Sequence, residues 1–147
     1  MSWVGKISAL KKSVKSLFLN KEQALSTTVP LSDEESDKLV PLLQKWVDEK
    51  GYRIPDTTLS DVAARLGTTS LRLHRFCLAQ GMDFRSWRSY LRIQDALQEM
   101  QEHPHASASF IARRVGFSDR SNFARQFKSV MGVTPLQWKK SHNSFVK

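Results

Sequence analysis

The feature that most constrains this chain is an internal repeat of about fifty residues. A segment that begins at Thr58 and reaches a glycine at Gly67 recurs at Ser107 and Gly116, 49 residues later in both cases. The segments GMDFRSWR and GVTPLQWK then recur 51 residues apart. A repeat of this period indicates two copies of one supersecondary unit. Each copy reads as two short helices joined by a turn that contains glycine, which is the description of a helix-turn-helix.

Apolar residues recur at helical spacing through both repeats, whereas the sequence contains neither sustained strand alternation nor an Asn-Gly or Asp-Gly hairpin signal. We therefore predict an all-α fold of two helix-turn-helix subdomains, joined by a long linking helix and preceded by extra N-terminal helices. Thr58 and Ser107 are suited to cap the first helix of each repeat, and His103-Pro104 is suited to end the linking helix. The predicted ranges are 58–81 for the first helix-turn-helix, 84–102 for the linking helix and 107–132 for the second helix-turn-helix, within a domain that covers 56–147.

Two shorter segments precede this domain. Residues 1–31 are predicted to form a basic amphipathic helix at 3–19 and a linker, and residues 32–55 are predicted to form a lead-in helix and a loop. Ser32 and Glu35 have the spacing of a capping box, so we expect a helix to begin there. Pro41 is expected to kink this helix or to move its start downstream.

The net charge of +9, from 23 basic and 14 acidic side chains, indicates a polyanionic partner. The charge is uneven, with +4 in residues 1–20, −2 in residues 21–55 and +7 in residues 56–147. This distribution assigns the main anion-binding surface to the repeat region and a second basic patch to the N-terminal arm. Nucleic acid and an anionic membrane surface are the candidate partners.

Several classes of protein are disfavoured. Cys77 is the single cysteine, so an intrachain disulfide is impossible and a reducing compartment is expected. No apolar run is long enough to cross a bilayer, and no secretory signal is recognisable, so we expect a cytoplasmic protein. No catalytic triad or phosphate-cradling loop is recognisable, so we do not expect an enzyme. None of the four histidines has a cysteine or carboxylate partner at metal spacing, so we expect neither a metal nor another cofactor.

The outer face of the second helix in each repeat carries the candidate DNA contacts, because that helix enters the major groove in a helix-turn-helix. Arg75 and Arg125 are suited to bind guanine bidentately, Asn122 is suited to adenine, and Leu71 is suited to a thymine methyl group. Phosphate contacts set affinity and salt dependence without reading sequence. We expect them from a set of further basic residues, namely Arg72, Arg92, Lys128 and Lys139.

The linking helix predicts how far apart the two recognition helices bind. A helix over 84–102 has 19 residues and a length of about 28 Å at ~1.5 Å per residue. Successive major grooves on one face of DNA are about 34 Å apart. We therefore expect the two helices to read two successive major-groove segments, so that a monomer binds a non-palindromic site.

The second repeat also carries a family resemblance. Residues 111–135, IARRVGFSDRSNFARQFKSVMGVTP, closely resemble the second helix-turn-helix of AraC/XylS-type bacterial transcription regulators. Residues 58–100 resemble the first helix-turn-helix and linking helix of that family more loosely, through TLSDVAARLG and LRIQDAL. The resemblance implies an all-α DNA-binding domain that acts on promoters, with double-stranded DNA and RNA polymerase as partners. The base-reading positions that it implies are Leu71, His74, Arg75, Arg120, Ser121, Asn122 and Arg125.

The short N-terminal region leaves alternatives open. The family usually adds a sensor or dimerisation domain, and about 55 residues precede the repeats here. We expect either a stand-alone, nucleoid-associated regulator or the cytosolic output part of a larger membrane-anchored sensor. The alternative function is a membrane-surface or protein-interaction module in which residues 3–19 lie on an anionic membrane.

Overall fold

A computed structural model of the chain describes residues 32–143, so the helix predicted at 3–19 and its linker lie outside the described residues. The described part contains helices and no strand, which confirms the predicted all-α fold. A 3-10 turn, Gly51–Arg53, follows the first helix. The α-helices are α1 (Asp33–Asp48), α2 (Leu59–Leu66), α3 (Ser70–Ala79), α4 (Phe84–Glu102), α5 (Ala108–Val115), α6 (Arg120–Met131) and α7 (Pro135–Asn143).

The helix starts follow the capping signals of the sequence. Ser32 and Glu35 form a complete capping box at the start of α1, and Thr58 forms one with Asp61 at the start of α2. Ser107 caps α5 by accepting a hydrogen bond from the Phe110 backbone N–H at 3.1 Å. Each of these side chains satisfies a backbone donor that has no partner within its helix, which is why the helices begin where they do.

Helix α1 continues through Pro41 and begins at the capping box. Of the two alternatives predicted for Pro41, the downstream start is therefore excluded, and a kink stays a prediction. Proline removes one backbone hydrogen bond from a helix interior. Leu39, Leu43 and Trp46 are buried on both sides of Pro41, and their burial holds the two halves of the helix in place.

The described residues divide into two compact units. The first comprises residues 32–51 and 57–87, and an aromatic cluster of Trp46, Phe84 and Trp87 packs within it at ring-centroid distances of 5.6 to 6.2 Å. Leu73 and Val62 are almost fully buried in the same unit. The predicted lead-in segment is split by this division, since residues 52–55 belong to the second unit.

The second unit comprises residues 52–56 and 88–143. Its core contains a chain of aromatic rings in which Phe117 contacts Phe123, Phe123 contacts Phe127 and Phe127 contacts Trp138, at centroid distances of 5.4, 5.8 and 6.4 Å. Ile111 is buried beside them. The core fixes the inward face of α6, and its opposite face is therefore exposed.

An ion-pair network binds the segment 52–56 to helix α4 within the second unit. Arg53 donates to both carboxylate oxygens of Asp95, at 2.5 and 2.8 Å, and to Glu99 at 2.9 Å. Arg114 donates to the other oxygen of Glu99. Burial raises the pKa of Glu99, but the hydrogen bonds from the two guanidinium groups outweigh burial and hold that pKa below its usual range.

Candidate nucleic-acid interface

The first helix-turn-helix is formed by α2 and α3. The turn passes through Gly67, whose φ of 71° lies in the left-handed region that glycine adopts without strain. Thr69 caps α3, and the hydroxyl groups of Ser60 and Ser70 lie 3.0 Å apart across the turn. Leu73, on the inward face of α3, is fully buried. The opposite face is thereby directed to solvent.

The predicted contact residues of α3 differ in accessibility. Leu71 is 55% exposed, and Arg72 is exposed as well. His74 and Arg75 are half-buried. The Nε atom of Arg75 is buried and has no hydrogen-bond partner within residues 32–143. The guanidinium group that we predicted as the main base reader of this helix is therefore less accessible than its helical position indicates.

The second helix-turn-helix is formed by α5 and α6. Its turn passes through Gly116, with a φ of 111°. A Cβ atom at this position would lie 2.7 Å from the backbone oxygen of Arg53 and 2.8 Å from Nε of Arg92, so the turn needs glycine for space as well as for conformation. The Ser118 hydroxyl donates to Asp56 at 3.1 Å, which holds the turn against the segment 52–56.

Helix α6 begins with a cap that our sequence analysis missed. Asp119 accepts a hydrogen bond from the Asn122 backbone N–H at 2.7 Å. Aspartate is a strong N-cap residue, and its position just before Arg120 was the signal that identifies it. The cap fixes the direction in which the first turn of α6 presents its side chains.

The predicted contact residues of α6 are accessible, and all except Arg120, at the first turn of the helix, lie on the face opposite the core. Arg120, Ser121, Arg125 and Lys128 are exposed, and Asn122 is half-buried. The buried Phe123 and Phe127 occupy the opposite face. No ion pair joins Arg120, Arg125 or Lys128 to another residue in the described part of the chain. Arg125 and Lys128 on this face, and Arg120 at the first turn of the helix, are thus available to a polyanion.

Arg92, predicted as a phosphate contact, lies inside the second unit. It is 6% exposed, and its guanidinium group donates to the backbone oxygens of Tyr52 at 2.6 Å and Ile54 at 3.1 Å. The same group lies 5.5 Å from the centre of the Phe117 ring. Burial, followed by the positive charge of Arg88, lowers the pKa of Arg92 to about 10. The phosphate prediction for Arg92 is therefore wrong, because its charge is used to hold the segment 52–56.

Lys139, also predicted as a phosphate contact, is half-buried. Its ammonium group donates to the backbone oxygen of Ala106 at 3.2 Å. It lines, with Arg120 and Leu136, a cavity of about 180 Å³ beside α6. A phosphate contact by Lys139 stays a prediction.

One group of side chains contradicts our reading of the histidines. Glu99, Glu102 and His103 present ligand atoms within 4.8 Å of one another, so a histidine does have carboxylate partners at metal spacing. Glu99 is also the acceptor for Arg53 and Arg114. A metal ion would have to displace these guanidinium groups, and the arrangement acts as an ion-pair network.

Among residues 32–143, no helix is both long and apolar enough to cross a bilayer.

Three comparisons place these features among known proteins. A family model described as a helix-turn-helix domain matches residues 62–141. The transcriptional activator NphR of a Rhodococcus species is 31% identical over 96 residues, which cover 65% of this chain and 28% of NphR. The C-terminal domain of AraT, a response regulator from Geobacillus stearothermophilus, has a TM-score of 0.60 at 26% identity, covering 70% of this chain and 87% of that domain.

A further solved structure has similar values. The C-terminal domain of the two-component response regulator yesN from Fusobacterium nucleatum has a TM-score of 0.59 at 27% identity, covering 67% of this chain and 95% of that domain. The similarity therefore spans both repeats and the helix that joins them.

Proposed function

The chain belongs to the AraC-type helix-turn-helix family, and from this premise we propose that it is a sequence-specific regulator of transcription that binds double-stranded promoter DNA. The family consists of DNA-binding domains and not of enzymes. The accessible face of α6 carries the proposal, because Arg125 and Lys128 are exposed there together with Ser121. A helix of this kind fits the major groove, whose base edges arginine can read.

The roles within α6 follow from the position of each side chain. Arg125 lies opposite the buried Phe123 and Phe127, at the middle of the exposed face, and we assign it the principal base contact. Ser121 and Asn122 lie one turn earlier and are assigned to neighbouring bases. Lys128 is assigned to a phosphate, because an ammonium group acts as a point charge without bidentate geometry.

The first helix-turn-helix is proposed as a second reader. Leu71 and His74 are assigned to base edges in a more apolar contact, and Arg75 is assigned to a base. The helix between the readers, Phe84–Glu102, has the 19 residues that we predicted, and its length of about 28 Å supports binding to successive major-groove segments.

The partners of the chain and its location in the cell are part of the same proposal. The match covers only 28% of NphR. For this chain we therefore infer three properties by analogy with the family, namely its genomic targets, its contact with RNA polymerase and its cytoplasmic location. Binding of residues 3–19 to an anionic membrane, or to a membrane sensor portion, stays a prediction, since those residues lie outside the described part.

A binding selection with the full chain tests the proposal. A duplex library of random sequence is selected at ~0.15 M salt, and the affinities of wild type and Arg125→Ala for the enriched site are measured by gel shift. We expect Arg125→Ala to lose about 1–3 kcal/mol of binding free energy and to relax the preference at one base position.

Arg113→Ala is the matched control, because Arg113 is an exposed arginine of the same unit outside the proposed contact set. Its substitution removes the same charge and should leave the preference at every position unchanged. Failure to enrich any sequence would contradict the proposed function. Unchanged affinity and preference in Arg125→Ala would contradict the assignment of Arg125.

A further inference from the structure

The acidic first turn of α1 lies beside the start of the recognition helix α3, within the first unit. An oxygen of the Glu35 carboxylate is 3.5 Å from Nε of Arg72, and the two side chains are 41% and 56% exposed. Both residues line one surface groove, together with Gly67 and Thr68 of the helix-turn-helix turn. A carboxylate is thus placed directly against a predicted phosphate contact.

The position of this carboxylate is fixed by the helix cap. One oxygen of Glu35 accepts from the Ser32 backbone N–H at 3.2 Å and from the Ser32 hydroxyl at 3.1 Å, while the other oxygen faces Arg72. The hydrogen bonds to Ser32, and then the positive charges of Arg72 and Arg75, hold the pKa of Glu35 below its usual range. Glu35 is therefore ionised at neutral pH and cannot turn away without breaking the cap.

We propose that Glu35 is a built-in counter-ion that competes with a DNA phosphate for Arg72 and thereby lowers the affinity of the first helix-turn-helix for DNA. This inference rests on the proposed function. A guanidinium group binds carboxylate and phosphate in the same forked geometry, so the two anions are alternatives. An exposed ion pair is weak, so the exchange of carboxylate for phosphate is readily made.

Glu35→Gln tests this competition without removing the cap, because glutamine serves equally in a capping box. We expect the variant to bind the selected duplex about 2- to 5-fold more tightly at ~0.1 M salt, the range that a surface ion pair of up to ~1 kcal/mol allows. We also expect the slope of log K against log salt concentration to steepen by up to ~0.9, the value of one additional phosphate contact.

Glu34→Gln is the matched control. Glu34 lies one residue earlier in the same helix turn, has the same charge and pairs with Lys38 at 3.2 Å, four residues along α1. The same net charge change at this position should leave DNA affinity within twofold of wild type. Thermal melting of both variants checks that α1 keeps its cap.

Measuring the effect of Glu35→Gln in the Arg72→Gln protein shows whether Arg72 is the residue through which Glu35 acts. If Glu35 acts through Arg72, Glu35→Gln has no effect on affinity in the Arg72→Gln protein. An equal gain in both backgrounds would show a general effect of charge and overturn the proposal, as would equal affinities of Glu35→Gln and Glu34→Gln. Selective binding that is lost in Arg125→Ala but unaffected by Glu35→Gln would refute this inference alone. A wild-type chain that binds no duplex would overturn both.

Discussion

Arg92→Met distinguishes an internal arginine from one that contacts DNA. The guanidinium group of Arg92 holds the backbone oxygens of Tyr52 and Ile54 at 2.6 and 3.1 Å and lies over the ring of Phe117. Methionine has a comparable length and no donor, so it can fill the space while leaving both oxygens without this partner. The variant should therefore lose the attachment of the segment 52–56 to α4.

The magnitude follows from these contacts. Each hydrogen bond from a charged donor contributes about 1.5–3 kcal/mol, and the contact with Phe117 contributes about 1–2 kcal/mol in a partly desolvated setting. Methionine recovers part of the desolvation cost of the guanidinium group, the same cost that lowers the pKa of Arg92 to about 10. We expect a net loss of about 2–4 kcal/mol in the free energy of unfolding, typical of a broken buried network.

Urea unfolding and salt-dependent DNA binding together measure the effect. At an m-value of about 1–3 kcal/mol/M, the loss lowers the unfolding midpoint of the second unit by about 0.7–4 M, whereas the salt slope of DNA binding at low temperature should not change. Lys128→Met is the contrasting variant, since Lys128 is exposed on α6. It should keep its stability within about 0.5 kcal/mol and flatten the salt slope by about 0.9. A stable Arg92→Met protein with a flattened slope would refute the reasoning.

Two further predictions concern the glycine turns and the cysteine. Gly116→Ala should have a free energy of unfolding about 1–3 kcal/mol lower than that of Gly132→Ala in thermal or urea melts. Both positions have positive φ, but of the two only a Cβ at Gly116 meets other atoms within 4 Å. Equal stabilities would contradict the close approach to Arg53. Burial raises the pKa of Cys77 to about 12. The thiol therefore loses its proton at a lower pH in the unfolded chain than in the folded one, so the free energy of unfolding should fall as pH rises above about 9. Cys77→Ala should remove this part of the pH dependence, while any contribution from Tyr52 and Tyr90 is the same in both proteins. Coincident plots of unfolding free energy against pH for wild type and Cys77→Ala would contradict this prediction.

The sequence predicted features that depend on residues close together in the chain. Helix α4 has the predicted bounds, 84–102, because His103-Pro104 ends it. The caps at Ser32, Thr58 and Ser107 were equally recognisable, since each involves a residue three positions away. The assignment of the chain to the AraC-type family, confirmed by the comparisons, also rests on a continuous segment with fixed spacing.

The roles of individual charges depend on residues far apart, and there the sequence was insufficient. Helical periodicity indicates which face of a helix a residue occupies, but it does not identify the segment that covers that face. Arg92 interacts with the backbone 40 and 38 residues earlier, and Arg53 pairs with Asp95 42 residues later. Tyr52, Arg53 and Ile54 belong to a short connecting segment without a periodic signal. An arginine bound to such a segment has the same sequence signature as one directed toward DNA.

The second helices of the two repeats therefore differ in accessibility more than their sequences do. Arg75 and Arg125 are equivalent in the repeat, 50 residues apart. Arg75 is half-buried, and its Nε atom is buried without a hydrogen-bond partner in residues 32–143, whereas Arg125 is exposed. A base contact requires a guanidinium group that is accessible enough to reach the groove. We infer that the second repeat supplies most of the sequence discrimination, and that the first adjusts affinity through the electrostatic balance between Glu35 and Arg72.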